Sequence, residues 1–169
     1  DNSGWMANVF TATDDETLAA VGFYMVSPNT EYEVYVYEGC TGYDPRSGTL
    51  LCSMRGVQDH AGYVTLPLPQ DVNVMAGGRF SVVVSVTSPD ADYPLVMESA
   101  FSDYSSAASA QAGESFINFN PDAYSWQDVS AKGANCCIKV YTQGRSQEDG
   151  RTLYVDAQAT AANPDGLTW

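Results

Sequence analysis

Histidine and lysine are scarce in this chain, which has only His60, Lys132 and Lys139 in 169 residues. Most active sites draw proton-transfer groups from such side chains, so the scarcity argues against enzymatic chemistry here. Positive charge as a whole is thin: 7 basic residues face 21 acidic ones, a formal net charge of −14. That sign repels phosphate backbones and anionic lipid, which excludes nucleic acid as a natural partner. No apolar run approaches the roughly 18 residues of a membrane helix, so no membrane insertion is expected. The chain begins at Asp1, without a methionine or a signal peptide, as an excised or processed segment would.

What is present is a dense series of strand signals. Alternating apolar and polar residues place strands near 5–12, 18–27, 31–38, 49–57, 62–68, 79–87, 94–98, 114–119 and 135–142. The clearest runs from Arg79 to Thr87. There Phe80, Val82, Val84 and Val86 share one face, and Arg79, Ser81, Ser85 and Thr87 share the other, which predicts one buried face and one wet face. Residues 32–37 put Val34 and Val36 on one side and Tyr35 and Tyr37 on the opposite side, as a central strand covered on both faces would. The run 62–68 buries Val64, Leu66 and Leu68 and exposes Tyr63 and Thr65. Pro67 cannot donate to a ladder, so that strand belongs at an edge or a bulge. Turns are marked by Ser27-Pro28-Asn29, Gly77-Gly78, Ser88-Pro89-Asp90 and Asn120-Pro121-Asp122. The small-residue stretch Ser105–Ala112 has no apolar stripe and reads as a mobile loop. The fold expected is all-β: a two-sheet antiparallel β-sandwich, jelly-roll-like, over residues 1–142. Residues 143–169 read as a linker or tail, with Thr152–Asp156 as a possible strand that either begins a following domain or lies over a sheet edge.

Four cysteines are present. Cys40 and Cys52 flank a stretch with Gly42, Pro45 and Gly48, so their sulfurs can meet across a hairpin mouth as a disulfide, the alternative being two half-buried thiols. Cys136 and Cys137 are adjacent, point to opposite faces of a strand, and do not suit one another. Zinc would want a further Cys or His pair, which the chain lacks, so no metal site is assigned. Carboxylates pair at Asp14-Asp15-Glu16, Asp90-Ala91-Asp92 and Glu148-Asp149. Two carboxyls could suggest glycoside hydrolysis, but each group sits in a turn where Asp bonds local amides. No cofactor is expected, and a structural calcium ion stays open.

Read in order, Ala7–Ala12, Leu18–Tyr24, Asn29–Tyr37, Ala61–Leu66, Gly77–Val84, Tyr93-Pro94, Gly113–Phe116, Ser125–Asp128 and Asn135–Thr142 form a series over about residues 5–142. This series resembles the lectin-like domain found C-terminal to papain-like cysteine peptidases of secreted bacterial and archaeal proteins. The resemblance implies a β-sandwich appendage on an exported peptidase, extracellular or at the cell surface, whose partners are glycan or cell-surface material and the peptidase domain of the same polypeptide. Relative to the family's usual hairpin, Gly39–Gly48 looks like an insertion, and Cys136 stands where an aliphatic residue is expected. Papain-type catalysis needs a thiolate beside an imidazole. Only His60 could serve, in a turn, and the Cys-Gly-Ser-Cys-Trp nucleophile motif is absent, so the segment is not expected to be an enzyme.

Aromatics offer the better functional signal, because sugar rings stack on Trp or Tyr while their hydroxyls take polar neighbours. The segment 119–126 supplies both. Its candidate ligand residues are Asn120, Asp122, Tyr124 and Trp126, with Trp126 as a plug of the sandwich end being the alternative. Trp5 and Trp169, near the termini, read as packing or linker contacts. Two roles follow. In one, a non-catalytic module binds carbohydrate or surface material; in the other, a structural domain packs against or spaces its peptidase.

Overall fold

The computed structural model describes residues 1–103, 107–120 and 125–144. Its strands are β1 (Ser3–Thr11), β2 (Glu16–Met25), β3 (Thr30–Glu38), β4 (Thr49–Gln58), β5 (Gly62–Val74), β6 (Arg79–Thr87), β7 (Met97–Ser99), β8 (Ser115–Asn118), β9 (Gln127–Asp128), β10 (Ala134–Cys136) and β11 (Lys139–Gly144). A six-stranded sheet has the order β4-β3-β6-β1-β8-β9, a three-stranded sheet the order β11-β2-β5, and β7 pairs with β10 in a short ribbon. Every pairing is antiparallel. The all-β sandwich is as expected from the alternation, with layers of unequal width.

The period of two builds the core directly. In β6, Val84 stands opposite Met6 of β1 and Val34 of β3. These side chains meet Leu18, Val21 and Phe23 of β2 and Val72 of β5 from the facing sheet. Phe23 and Val84 are fully buried, and each such side chain contributes about 1.5–3 kcal/mol relative to exposure. β5 is an edge strand, and Pro67 lies opposite Ala20 where the register with β2 slips, so both sites that tolerate a proline coincide.

One inward position of β1 is polar. Asn8 donates from Nδ2 to the Cys136 carbonyl at 2.9 Å and accepts from Ser115 Oγ at 2.8 Å. Ser115 Oγ in turn accepts the Cys136 N–H at 2.8 Å. This network corrects the single strand expected over 135–142. Because the Cys136 backbone is held by Asn8 and Ser115, the chain leaves the ribbon there and resumes as β11 on β2. The two-residue strand β9 was not expected at all.

The wet face expected for β6 is also corrected. Ser81 and Val83 are fully buried on the outer side of the large sheet. There Ala7, Val9, Val83 and Phe116 form a second apolar cluster, flanked by half-buried Trp5, Tyr35, Tyr37 and Trp126. The loop 39–48 covers part of it. Gly39 turns out of β3 at φ 73°, buried Pro45 accepts the Ser81 hydroxyl at 2.5 Å, and Tyr43 meets Phe116 edge-on at 6.3 Å.

Candidate functional site

Strand register sets the layout of this outer face. One row runs Arg55, Glu33, Ser85, Trp5 and Asn118 across β4, β3, β6, β1 and β8. The next runs Ser53, Tyr35, Val83, Ala7 and Phe116. Trp5 and Tyr35 flank β6 one row apart, and their rings meet across it, stacked at 5.8 Å and 17°. Tyr35 continues to Tyr37 at 6.3 Å and 26°, which makes a three-ring ladder. The Arg46 guanidinium lies 5.3 Å over the Trp5 ring.

Polar groups border the ladder. The Tyr35 hydroxyl donates to Glu33 Oε2 at 2.6 Å. Burial, then the hydrogen bond to Glu33, push the Tyr35 phenol up to about 12, so it keeps its proton and holds the carboxylate in place. Beside this pair, Glu31, Glu33, Arg55, Val57, Ser85 and Thr87 line an open groove of about 540 Å³. An aromatic wall next to hydroxyls and oriented charges is the mixture that a saccharide requires.

The expected ligand loop touches this face in part. Trp126 is half-buried against the same cluster as Trp5 and Tyr35. Asn120 is exposed, and its N–H donates to Asn118 Oδ1 at 2.7 Å, the residue opposite Trp5. Asp122 and Tyr124 lie outside the described residues, as does Trp169. Trp5, Tyr35, Glu33 and Arg46 were missed as site residues. The signal for two of them, Glu33 and Tyr35, was present: outward positions 31, 33, 35 and 37 read Glu, Glu, Tyr, Tyr. Arg46 had no local signal, because its placement depends on the loop folding back.

A second aromatic group occupies the outer face of the three-stranded sheet. Tyr24 meets Tyr63 edge-on at 5.0 Å, and the Tyr63 and Tyr141 hydroxyls are 2.9 Å apart. Burial, followed by the bond to Tyr141, pushes Tyr63 up to about 12; Tyr141 is lowered, chiefly by the bond from Tyr63. Tyr63, with Glu98, Cys137 and Lys139, lines a cleft of about 340 Å³.

The remaining candidates do not assemble. His60 is exposed and faces Asp59, Nδ1 to Oδ1 2.9 Å. Burial raises the thiols of Cys52, Cys136 (to about 11) and Cys137, which leaves them protonated and unreactive. Asp15 accepts the Ala76 N–H at 2.9 Å, a turn contact. Among the described residues no three His, Cys, Asp or Glu side chains converge on a metal-sized space. The Cys40–Cys52 disulfide expected from spacing is not formed in this structure; both are buried free thiols. Cys52 stands opposite Val36 in the core, whereas Cys40 lies past the end of β3 with Sγ turned to the Tyr37 carbonyl. The hairpin mouth is closed instead by Ser47, whose Oγ accepts the Thr41 N–H at 2.9 Å.

Residues 1–142 match the family model described as lectin-like domain. The chain belongs to that family. Two solved structures are similar. One is the clostridial cysteine protease Cwp84 after propeptide cleavage, 27% identical with a TM-score of 0.65, the match covering 85% of this chain and 36% of that one. The other contains the cysteine protease and lectin-like domains of Cwp84, a surface layer associated protein of Clostridium difficile, 26% identical with a TM-score of 0.64, covering 85% and 33%. The chain thus spans about a third of those structures. A comparison with curated proteins found no match. What the chain matches as a family is the lectin-like domain, and in Cwp84 a lectin-like domain stands beside a cysteine protease domain.

Proposed function

We propose that this lectin-like module binds carbohydrate or cell-surface material through the outer face of its six-stranded sheet, within a polypeptide that also holds a papain-like cysteine peptidase domain. The observation that carries the reading is the Trp5–Tyr35–Tyr37 ladder beside a groove with the Glu33 carboxylate held by a tyrosine hydroxyl. A pyranose would stack on the ladder while Ser85, Thr87 and Glu33 meet its hydroxyls. Asn120 and Trp126 border the same face, with Trp126 as a wall, and Asp122 and Tyr124 are kept as ligand candidates from the sequence alone. An extracellular or cell-surface location is supported by the surface-layer association of the similar Cwp84. Single-site affinity is weak for such an open face, and repetition on a surface raises it.

A glycan array followed by titration tests this, with wild type, Trp5→Ala and Trp126→Ala compared after circular dichroism has shown that each folds. Losing Trp5 should weaken binding by about tenfold. An array without hits rejects the reading and favours the structural role. That second role has its own support in the three exposed tyrosines of the smaller sheet, a surface suited to packing against the peptidase domain.

A further inference from the structure

We infer that Arg46 makes the Trp5 platform selective for acidic sugars, those with a carboxylate on the ring, and is thus a specificity-determining residue of the proposed site; this rests on the carbohydrate reading above. The guanidinium sits over an indole face, a contact that leaves its N–H edge free to bond outward. No carboxylate lies within ion-pair distance of it among the described residues, in a chain with 21 acidic side chains. A guanidinium unpaired in such company, placed on a sugar-stacking ring, is set to take an anion from outside.

Its position is fixed by backbone contacts. The Arg46 N–H donates to Asp44 Oδ1 at 2.8 Å, the Pro45 carbonyl is held by Ser81, and Ser47 Oγ bonds the Asp44 carbonyl at 2.8 Å. The charge is therefore carried by a loop whose backbone is braced before binding, which lowers the ordering cost. Opposing charge is present: Glu31 and Glu33 lie in the neighbouring groove, and the net charge is −14. Against this repulsion stands the guanidinium–carboxylate contact, which is short and bidentate. Glu33 is engaged by Tyr35, and Arg55, opposite Glu33 in register, offsets the charge at that end.

The test is calorimetric titration with a tetramer of galacturonic acid and a neutral tetramer of galactose, using wild type, Arg46→Ala, Arg46→Lys and Trp5→Ala. Wild type should prefer the acidic tetramer by about tenfold, the value of one charged hydrogen-bonded contact. Arg46→Ala should erase the preference, Arg46→Lys should retain part of it, and Trp5→Ala should weaken both sugars. Should Arg46→Ala disturb the loop, the lysine variant, which keeps the charge, decides: an undiminished preference there overturns the role of the guanidinium. Equal binding of both sugars by wild type, or a preference that survives Arg46→Ala, overturns the inference and leaves the carbohydrate reading standing. Binding of neither sugar by wild type overturns the inference for this class; an array without hits removes the carbohydrate reading as well.

Discussion

The two outer faces of the sandwich each display aromatic rings, yet only one of them is built like an interior. On the six-stranded sheet, Val83 and Phe116 are completely buried and the rings of Trp5, Tyr35 and Tyr37 lean on them under the 39–48 loop. On the three-stranded sheet, Tyr24, Tyr63 and Tyr141 are each about 40% exposed and touch mainly one another. Rings fixed by a packed floor present a rigid surface that loses little entropy on binding a small ligand. Rings lying flat on an open sheet present adaptable apolar area of the kind covered by another protein surface.

The sharpest way to break this comparison is to remove the floor. Phe116→Ala deletes a fully buried ring beneath Tyr43 and beside Trp5, and should destabilise the module by about 3–5 kcal/mol, measured by urea unfolding. A cost below ~1 kcal/mol would mean that the outer cluster is ordinary surface. Ser81→Ala is the next largest. It leaves the Pro45 carbonyl without its buried donor, at a cost of about 1–3 kcal/mol, and hydrogen exchange should show faster opening across 39–48. If exchange there is unchanged, the loop is held by other contacts.

Much of the sandwich was legible because burial follows a period of two wherever one face meets the core, as in β6, and because Pro67 marks its own edge. The second core was illegible for the same reason. Ser81 reads as solvent-facing, and only a ten-residue loop returning from β3 makes it interior, a contact between positions 36 apart in the chain. The site was half legible. Trp126, singled out from its polar surroundings, lies against the outer cluster, while Trp5 near the terminus joins the ladder only through strand register with β6 and the approach of Tyr35 across it. The broken strand at Cys136 was hidden because the cause, Asn8, lies 128 residues away.

Acid should distinguish the two sheets more gently. Burial raises the Asp128 carboxyl, but hydrogen bonds from Ser130 and from the Gly113 and Ser130 N–H groups outweigh it, so the pKa is lowered. A depressed folded pKa contributes stability above the unfolded value, near 4, and that contribution is lost as pH falls through the folded pKa. Exchange protection at Gly113 and Ser130, at the β8–β9 edge, should therefore drop below pH 4, before any change in β2 and β5. Asp128→Asn should remove the pH dependence, and a drop that persists in that variant assigns it elsewhere.

The smallest effect belongs to the tyrosine face. Tyr63→Ser removes an exposed ring and its bond to Tyr141 without opening the core, so the isolated module should change by no more than about 0.5 kcal/mol. Gly22 gives an independent route to the same place: a Cβ there would fall 2.0 Å from the Tyr63 hydroxyl, and since that oxygen is the far end of a mobile side chain, Gly22→Ala should push the ring outward at little cost. Both variants should fold and bind glycan as wild type does. In the proposed polypeptide that also carries a peptidase domain, however, the structural role requires that covering Tyr63 be favourable, so the same variants should loosen the contact with that domain, read as increased proteolysis between the domains. Wild-type resistance in that polypeptide would assign the tyrosines to plain solvent and leave the large-sheet face as the single site of function.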